Sequence, residues 1–355
     1  MKVFAYFVEP ASYTLDLISK VHNRLNITIA FINKRTEAKT DLNKNNFIFL
    51  SNKSLFSKIR FIYSVWRNQD LIIVNGYNNY VFILTFLFNL LSIKKRYLAT
   101  ESDTQLRIPM NCLKRICKSI YLNLIFRSKH LIGFAGGSKS HQELFRYYGM
   151  SEERIFLMPM MVNNDKFFQE KKQSQEIFTF LYVGRLVKHK NVDGLINEFK
   201  YHFSDKKAIL RIVGGGEEEI YLNKKYSSDK IFFIGNRYNN DLINEYKTAT
   251  CFCCPSDFEP WGLVVNEALS AGLPVIVTKE VGAKDDLVIG KETGLVADSI
   301  NDFGSKMLQL YRDPDLLAQY SKNASDLMQN YWNYGLYKSC LVSVIKKIKE
   351  WQLVH

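Results

Sequence analysis

Short apolar runs recur along the first half of the chain at 2–8, 27–32, 71–74, 96–100 and 131–135, and each is followed by a stretch long enough for a helix. Short strands alternating with helical patterns are the signature of a parallel α/β sheet. At 162–176 the apolar periodicity gives way to VNNDKFFQEKKQSQE, a candidate linker. The alternation restarts with FTFLYVG and continues through AILRIVGGG, IFFIG, CFCC and VIVT, so the chain divides into two α/β halves. The longest apolar run, 81–93, contains Asn89 and is too short to span a bilayer, so it predicts a buried helix.

Composition fits that picture: 355 residues, 47% hydrophobic and 23% charged, suit two ordinary globular domains. The opening MKVFAYFVEPAS brings an acid and a proline too early for a secretory signal. Six cysteines, at 112, 117, 251, 253, 254 and 340, include one C-x-x-C spacing, Cys251 to Cys254, with no second to pair with it, and are expected to be reduced core residues of a cytoplasmic protein.

Charge is unevenly placed. Residues 1–165 hold 23 Lys and Arg against 11 Asp and Glu, a net +12, whereas 166–355 hold 25 against 24, a net +1. A basic half points to an anionic partner. Between Lys94 and Lys129 the cations alternate with apolar residues, a pattern that suits either an anionic bilayer surface or an ordinary amphipathic helix with a solvated basic face. No nucleic-acid motif accompanies the charge.

The densest chemistry lies at 256–274, SDFEPWGLVVNEALSAGLP. Glu259 and Glu267 stand eight positions apart, the first on a strand-to-helix loop and the second about two turns away, in the helix that Gly272 ends. A loop entering a helix N-terminus offers free N–H groups and a positive dipole end, which suit a phosphate or a sugar hydroxyl. Upstream, a strand ends in Gly184 and Arg185, and Lys190 follows five residues later. Two cations at a strand end can neutralise a diphosphate, Arg as a fork and Lys as a point charge. Gly214-Gly215-Gly216 completes no G-x-G-x-x-G, and the acids after it would repel a pyrophosphate, so it predicts a tight turn into an acid-capped helix. The only D-x-D, Asp313-Pro314-Asp315, has the form of a helix cap, so no metal site is predicted.

Strand ends in the first half supply further candidates, because parallel sheets bind ligands there. Asn75-Gly76-Tyr77 is a turn signal, Glu101 is either a polar contact or a plain loop acid, and Ser138 is expected to cap the helix after Gly136-Gly137. Lys139, in the same segment, suggests an anion site.

The string Pro255, Ser256, Glu259, Pro260, Gly262, Glu267, Ala268, Gly272, Pro274 resembles the signature P-S-x-x-E-P-x-G-x-x-x-x-E-A-x-x-x-G-x-P of the retaining GT-B glycosyltransferases of family four, the glycosyl transferases group 1. Gly184-Arg185-Leu186 with Lys190 resembles that family's diphosphate clamp. Glu9-Pro10-Ala11-Ser12 departs from it, because many relatives carry a Gly-Gly pair there. The resemblance implies an α/β, GT-B fold of two Rossmann-like domains facing each other across a cleft. An acceptor domain is expected at 1–163, a nucleotide-sugar domain at 170–335, and a final helix, 336–355, returning to the first.

It also implies roles. Arg185 and Lys190 would stabilise the leaving diphosphate, Glu259 would orient the donor sugar, and Glu101 would be the polar contact of the first domain. Gly184, Arg237, Gly262, Leu263, Val264 and Glu267 would hold the nucleotide sugar, with Arg237 at its base or phosphate and Glu267 at its ribose. The implied reaction is metal-independent, cofactor-free transfer with retention from a nucleotide-diphosphate sugar, of the UDP class, to a glycan or lipid-linked glycan in bacterial surface polysaccharide synthesis. The expected place is the cytoplasm, peripheral at the inner face of the plasma membrane. The alternatives are a nucleotide-sugar epimerase on the same fold or a non-catalytic glycosyltransferase-like subunit.

Overall fold

The computed structural model describes residues 1–34, 47–169 and 176–354. The chain forms two compact units, one of Met1–Met161 with Tyr334–His355 and one of Val162–Asn333.

The described residues of the first unit form seven parallel strands: β1 (Val3–Phe7), β2 (Thr28–Phe31), β3 (Ile48–Phe49), β4 (Leu71–Asn75), β5 (Tyr97–Ser102), β6 (Leu131–Ala135) and β7 (Ile155–Leu157). Their order is β3-β2-β1-β4-β5-β6-β7. The apolar runs give these strands because helices cover both faces and few positions need to be polar. Sequence periodicity shows five of the seven; β3 and β7 are only two and three residues long, too short for a period to register. Helices Leu55–Asn68, Tyr80–Leu91, Cys112–Phe126 and Ser140–Tyr147 pack Trp66, Phe82, Phe126 and Phe145 into one core cluster with Phe4, Ile72 and Leu98. The long helix Tyr334–Val354 joins this unit, with the Trp351 ring stacked on Tyr97 at 5.8 Å.

The described residues of the second unit form six parallel strands: β8 (Phe178–Val183), β9 (Ala208–Val213), β10 (Ile231–Gly235), β11 (Cys251–Cys254), β12 (Val275–Thr278) and β13 (Gly294–Ala297), ordered β10-β9-β8-β11-β12-β13. In each sheet the strand order reverses beside the first strand of the unit, between β1 and β4 and between β8 and β11. Such a switch point leaves a crevice at the strand C-termini for a ligand.

Four expectations change. The start of the expected linker is packed structure: Asn164–Phe167 is a short helix, and buried Asn164 donates to the carbonyls of Met328 (2.6 Å) and Trp332 (2.9 Å). Residues 170–175, where the linker continues and the second domain was expected to begin, lie outside the described residues. The run at 81–93 forms the helix Tyr80–Leu91, but only one side of it is buried, and Leu91 is 82% exposed. Cys251, Cys253 and Cys254 are core residues on a strand buried on both faces, whereas Cys112 and Cys117 are exposed on a helix. The cap position of the helix Ser140–Tyr147 falls on Lys139, one residue after Ser138, with a φ of 39° and no side-chain cap bond from Lys139. Asp313 does cap: its Oδ1 accepts from the Leu316 amide at 2.9 Å, with Pro314 at the first helical position.

Candidate functional site

Two loops at the C-terminal ends of β8 and β11 build the site of the second unit. The first runs through Gly184 and Arg185 into a short turn, Lys188–Lys190, and the helix Val192–Phe203. Its path is fixed by glycines. The Leu186 amide donates to the Gly215 carbonyl at 2.9 Å, and the Glu218 amide to the Leu186 carbonyl at 3.0 Å. A Cβ on Gly214, whose φ is +132°, would lie 1.9 Å from the Gly184 carbonyl oxygen, and one on Gly216 would lie 2.4 Å from that of Leu186. The Gly214-Gly215-Gly216 turn therefore buttresses the Gly184–Leu186 loop by backbone contact.

The second loop leaves β11 at Pro255 and enters the helix Leu263–Ser270. Backbone bonds zip it to its neighbour: the Glu259 amide donates to the Glu280 carbonyl at 3.2 Å, and the Gly282 and Ala283 amides donate to the Glu259 and Trp261 carbonyls at 3.0 Å each. Trp261 is buried and stacks on Trp332, with ring centroids 5.6 Å apart, and its indole N–H donates to Asn266 at 2.8 Å. The two loops are tied together as well. Asn191 Nδ2 donates to Asp257 Oδ1 at 2.9 Å, and the Asp257 amide to the His189 carbonyl at 2.9 Å.

This scaffold brings Lys190 and Glu259 into a hydrogen-bonded ion pair, with side chains 12% and 15% exposed. The pair lines a cavity of about 140 Å³ together with Gly184, Cys254, Ser256, Gly262, Leu263 and Val264. Gly262 opens the helix in the left-handed region at φ +99°, and a Cβ there would sit 3.0 Å from Glu259 Cγ. The first amides of a helix have no partner within it, so those of Leu263 and Val264 offer donors and a positive dipole end on the cavity side. Cys254 lies at the same cavity, where burial, with the Glu259 charge adding, pushes its thiol up to about 12 and keeps it protonated.

The remaining candidates of this unit lie around that centre. Arg185 is exposed beside Gly184 at the end of β8, and Arg237 is exposed just beyond β10; neither lines the cavity. Glu267 points elsewhere on its helix: its Oε2 accepts from the hydroxyl of buried Tyr246 at 2.7 Å, and burial pushes its carboxyl up to about 7. Sequence spacing gives no sign of the Tyr246 contact, which comes from the helix Asn239–Lys247.

In the first unit the ends of β1, β4, β5 and β6 open on a separate cavity of about 420 Å³. Glu101, on β5, sits at its floor and accepts from Asn75 Nδ2 at 3.1 Å and from the Tyr337 hydroxyl at 2.8 Å. Burial raises its pKa, against the lowering effect of those two bonds. Asp103 and Glu9 add acids to the rim, and Met158, Met160 and Met161 give an apolar wall. The Asn75-Gly76 turn thus belongs to the pocket, with Gly76 at φ +87° and its amide bonded to the Glu101 carbonyl at 2.9 Å. Among the described residues no group of three or more His, Cys, Asp or Glu is placed to hold a metal ion.

Residues 163–327 match the family model for glycosyl transferases group 1. The second unit belongs to the glycosyl transferases group 1. Among curated proteins of this kind, the mannosylfructose-phosphate synthase of Agrobacterium fabrum is 26% identical over 257 residues, covering 64% of this chain and 55% of that protein. The capsular polysaccharide biosynthesis glycosyltransferase CapM of Staphylococcus aureus is 28% identical over 231 residues, covering 62% and 60%. The matched part thus spans little more than half the length of these relatives. Among solved structures, Anabaena HepE in complex with UDP-glucose superimposes with a TM-score of 0.76 at 16% identity, covering 98% of this chain and 100% of that one. At that identity the likeness shows the fold alone, and it covers both units: the fold is GT-B, two parallel-sheet Rossmann-like domains.

Proposed function

We propose that this chain is a retaining glycosyltransferase that moves a sugar from a UDP-sugar to a hydroxyl of a glycan or lipid-linked glycan in bacterial surface polysaccharide synthesis. The observation that carries the reading is the Lys190–Glu259 pair, held in a cavity at the start of the helix Leu263–Ser270. A cation, a carboxylate and free helix amides in one small cavity match the needs of a nucleotide diphosphate joined to a sugar. The HepE structure, bound to UDP-glucose, supports a uridine donor, and CapM, named for capsule, supports a surface-polysaccharide setting.

On this reading Lys190 and exposed Arg185 meet the charge that develops on the leaving diphosphate, and the amides at Gly262, Leu263 and Val264 hold it. Glu259 accepts from hydroxyls of the transferred sugar, Glu267 from the ribose, and Arg237 lies toward the base. The protonated Cys254 thiol is no nucleophile, and Glu259 is engaged by Lys190. A same-face substitution, in which the leaving phosphate takes the acceptor proton, therefore fits better than a covalent glycosyl-enzyme. The charge is carried by these side chains and amides, so the reading calls for no metal ion and no cofactor. The first-unit cavity, with Glu101 at its floor, takes the acceptor, and the protein works in the cytoplasm at the inner face of the plasma membrane.

A thermal-shift series with UDP, GDP, ADP and their sugar conjugates, without added metal, tests this. The expected result is a rise in melting temperature with the uridine series, abolished in Lys190→Ala. Silence with every nucleotide would leave a non-catalytic subunit, and conversion of a UDP-sugar without acceptor would make the protein an epimerase.

A further inference from the structure

Helices Leu55–Asn68, Tyr80–Leu91 and Cys112–Phe126 connect β3 to β4, β4 to β5 and β5 to β6, three steps in one direction along the sheet. Right-handed crossovers place all three on one face. Their inner residues, Trp66, Phe82 and Phe126 among them, share one buried cluster.

The outer sides of these helices are apolar too. On Cys112–Phe126, Leu113, Ile116, Ile120 and Leu124 recur at helical spacing opposite the buried Leu122, Ile125 and Phe126, and they are 71%, 49%, 67% and 63% exposed. Tyr80–Leu91 repeats the arrangement with Ile83, Leu87, Leu90 and Leu91, and Ile93 follows fully exposed. Leu55 and Phe56, each 75% exposed, begin the third helix. More than half of the exposed large apolar side chains among the described residues fall within 55–124. An apolar surface of this extent marks an interaction site.

Its charge selects the partner. Residues 53–129 hold 13 Lys and Arg against 3 Asp and Glu, and the three helices contain no carboxylate at all. Of the three acids, Glu101 and Asp103 line the cavity at the strand ends, and Asp70 is bonded to the Lys2 amide at 2.7 Å. A second copy of this chain would set basic against basic and be repelled. No helix among the described residues is long and apolar enough to cross a membrane.

We propose that this three-helix face lies flat on an anionic lipid bilayer, with the Ile and Leu stripes in the acyl boundary and Lys94 and Lys114 among the headgroups. The inference deepens the peripheral placement given above and rests on that reading only for the bilayer's being the one that carries the acceptor. Docking itself involves no sugar transfer, so its failure would leave the nucleotide shift intact.

The test is sedimentation of the full chain with vesicles of phosphatidylcholine alone and of equal parts phosphatidylcholine and phosphatidylglycerol. The expected result is binding at least about tenfold stronger to the anionic vesicles and weakened by salt. Ile116→Asp with Ile120→Asp lowers it about tenfold or more, while melting temperature and nucleotide shift stay as in the parent. Leu91→Ser with Ile93→Ser, at an exposed helix end, gives a second reading of the same loss. Lys94→Gln with Lys114→Gln flattens the salt dependence. The proposal is overturned by equal binding to both vesicles, by aspartate variants that bind as the parent does, or by light scattering that shows a dimer split by those aspartates.

Discussion

Lys190 and Glu259, 69 positions apart in the chain, meet as an ion pair that leaves each side chain largely shielded from water. Removing one partner of such a pair strands the other charge, and the consequences differ for the two residues. Glu259→Gln takes a negative charge from beside the place proposed for a diphosphate. UDP should then bind several-fold more tightly while sugar transfer falls by about 10² or more, since the carboxylate proposed to hold the sugar is gone. Lys190→Ala should lower both, with turnover down by about 10²–10³. Calorimetric titration with UDP beside a transfer assay separates the cases. Weaker UDP binding in Glu259→Gln would show that the carboxylate serves the nucleotide instead.

Gly262 is the hinge between that loop and its helix. Alanine there must adopt φ +99° and place its methyl 3.0 Å from Glu259 Cγ. Gly262→Ala should cost about 1–2 kcal/mol of stability in denaturant unfolding. Activity should fall further than that loss explains, because the methyl group displaces the carboxylate. Activity falling no more than the folded fraction would place the effect in stability alone.

Glu267 gives the protein a pH signature. Its folded pKa of about 7 stands above the ordinary value of 4.5, so the folded state binds more protons than the unfolded one between these two limits. Stability supplied by the protonated form is complete below pH 4.5 and declines as pH rises toward 7. Glu267→Gln keeps an acceptor for the Tyr246 hydroxyl without the charge. Melting temperatures measured across that range should fall less steeply for the variant, and it should be the more stable of the two at pH 8. Parallel curves would show that Glu267 does not titrate there.

The two sheets were legible because strands covered by helices on both faces are written as apolar runs, whereas β3 and β7 offered too few residues to show a period. What the sequence could not show was distance. Nothing in the interval between Lys190 and Glu259 says that they touch; that follows from Asn191 and Asp257 tying two loops from different strands. Apolarity, likewise, does not say which side of a helix meets a neighbour. The run at 81–93 reads as buried, yet Asn89 is buried at a bond to the Trp66 indole while Leu90 and Leu91 face outward. At Ser138 a residue suited to a helix cap was present, but the chain turns one residue later through a positive φ at Lys139.

The glycine triplet after β9 has a consequence for redesign. With Gly214 and Gly216 set against the carbonyls of Gly184 and Leu186, there is no room for a methyl group on either, so the loop that carries Arg185 moves only if β9 moves with it. Side chains at the cavity can therefore be exchanged in search of another ligand without retuning this support. The two glycines themselves admit no substitute, and a library that randomised them would spend its diversity on misfolded chains.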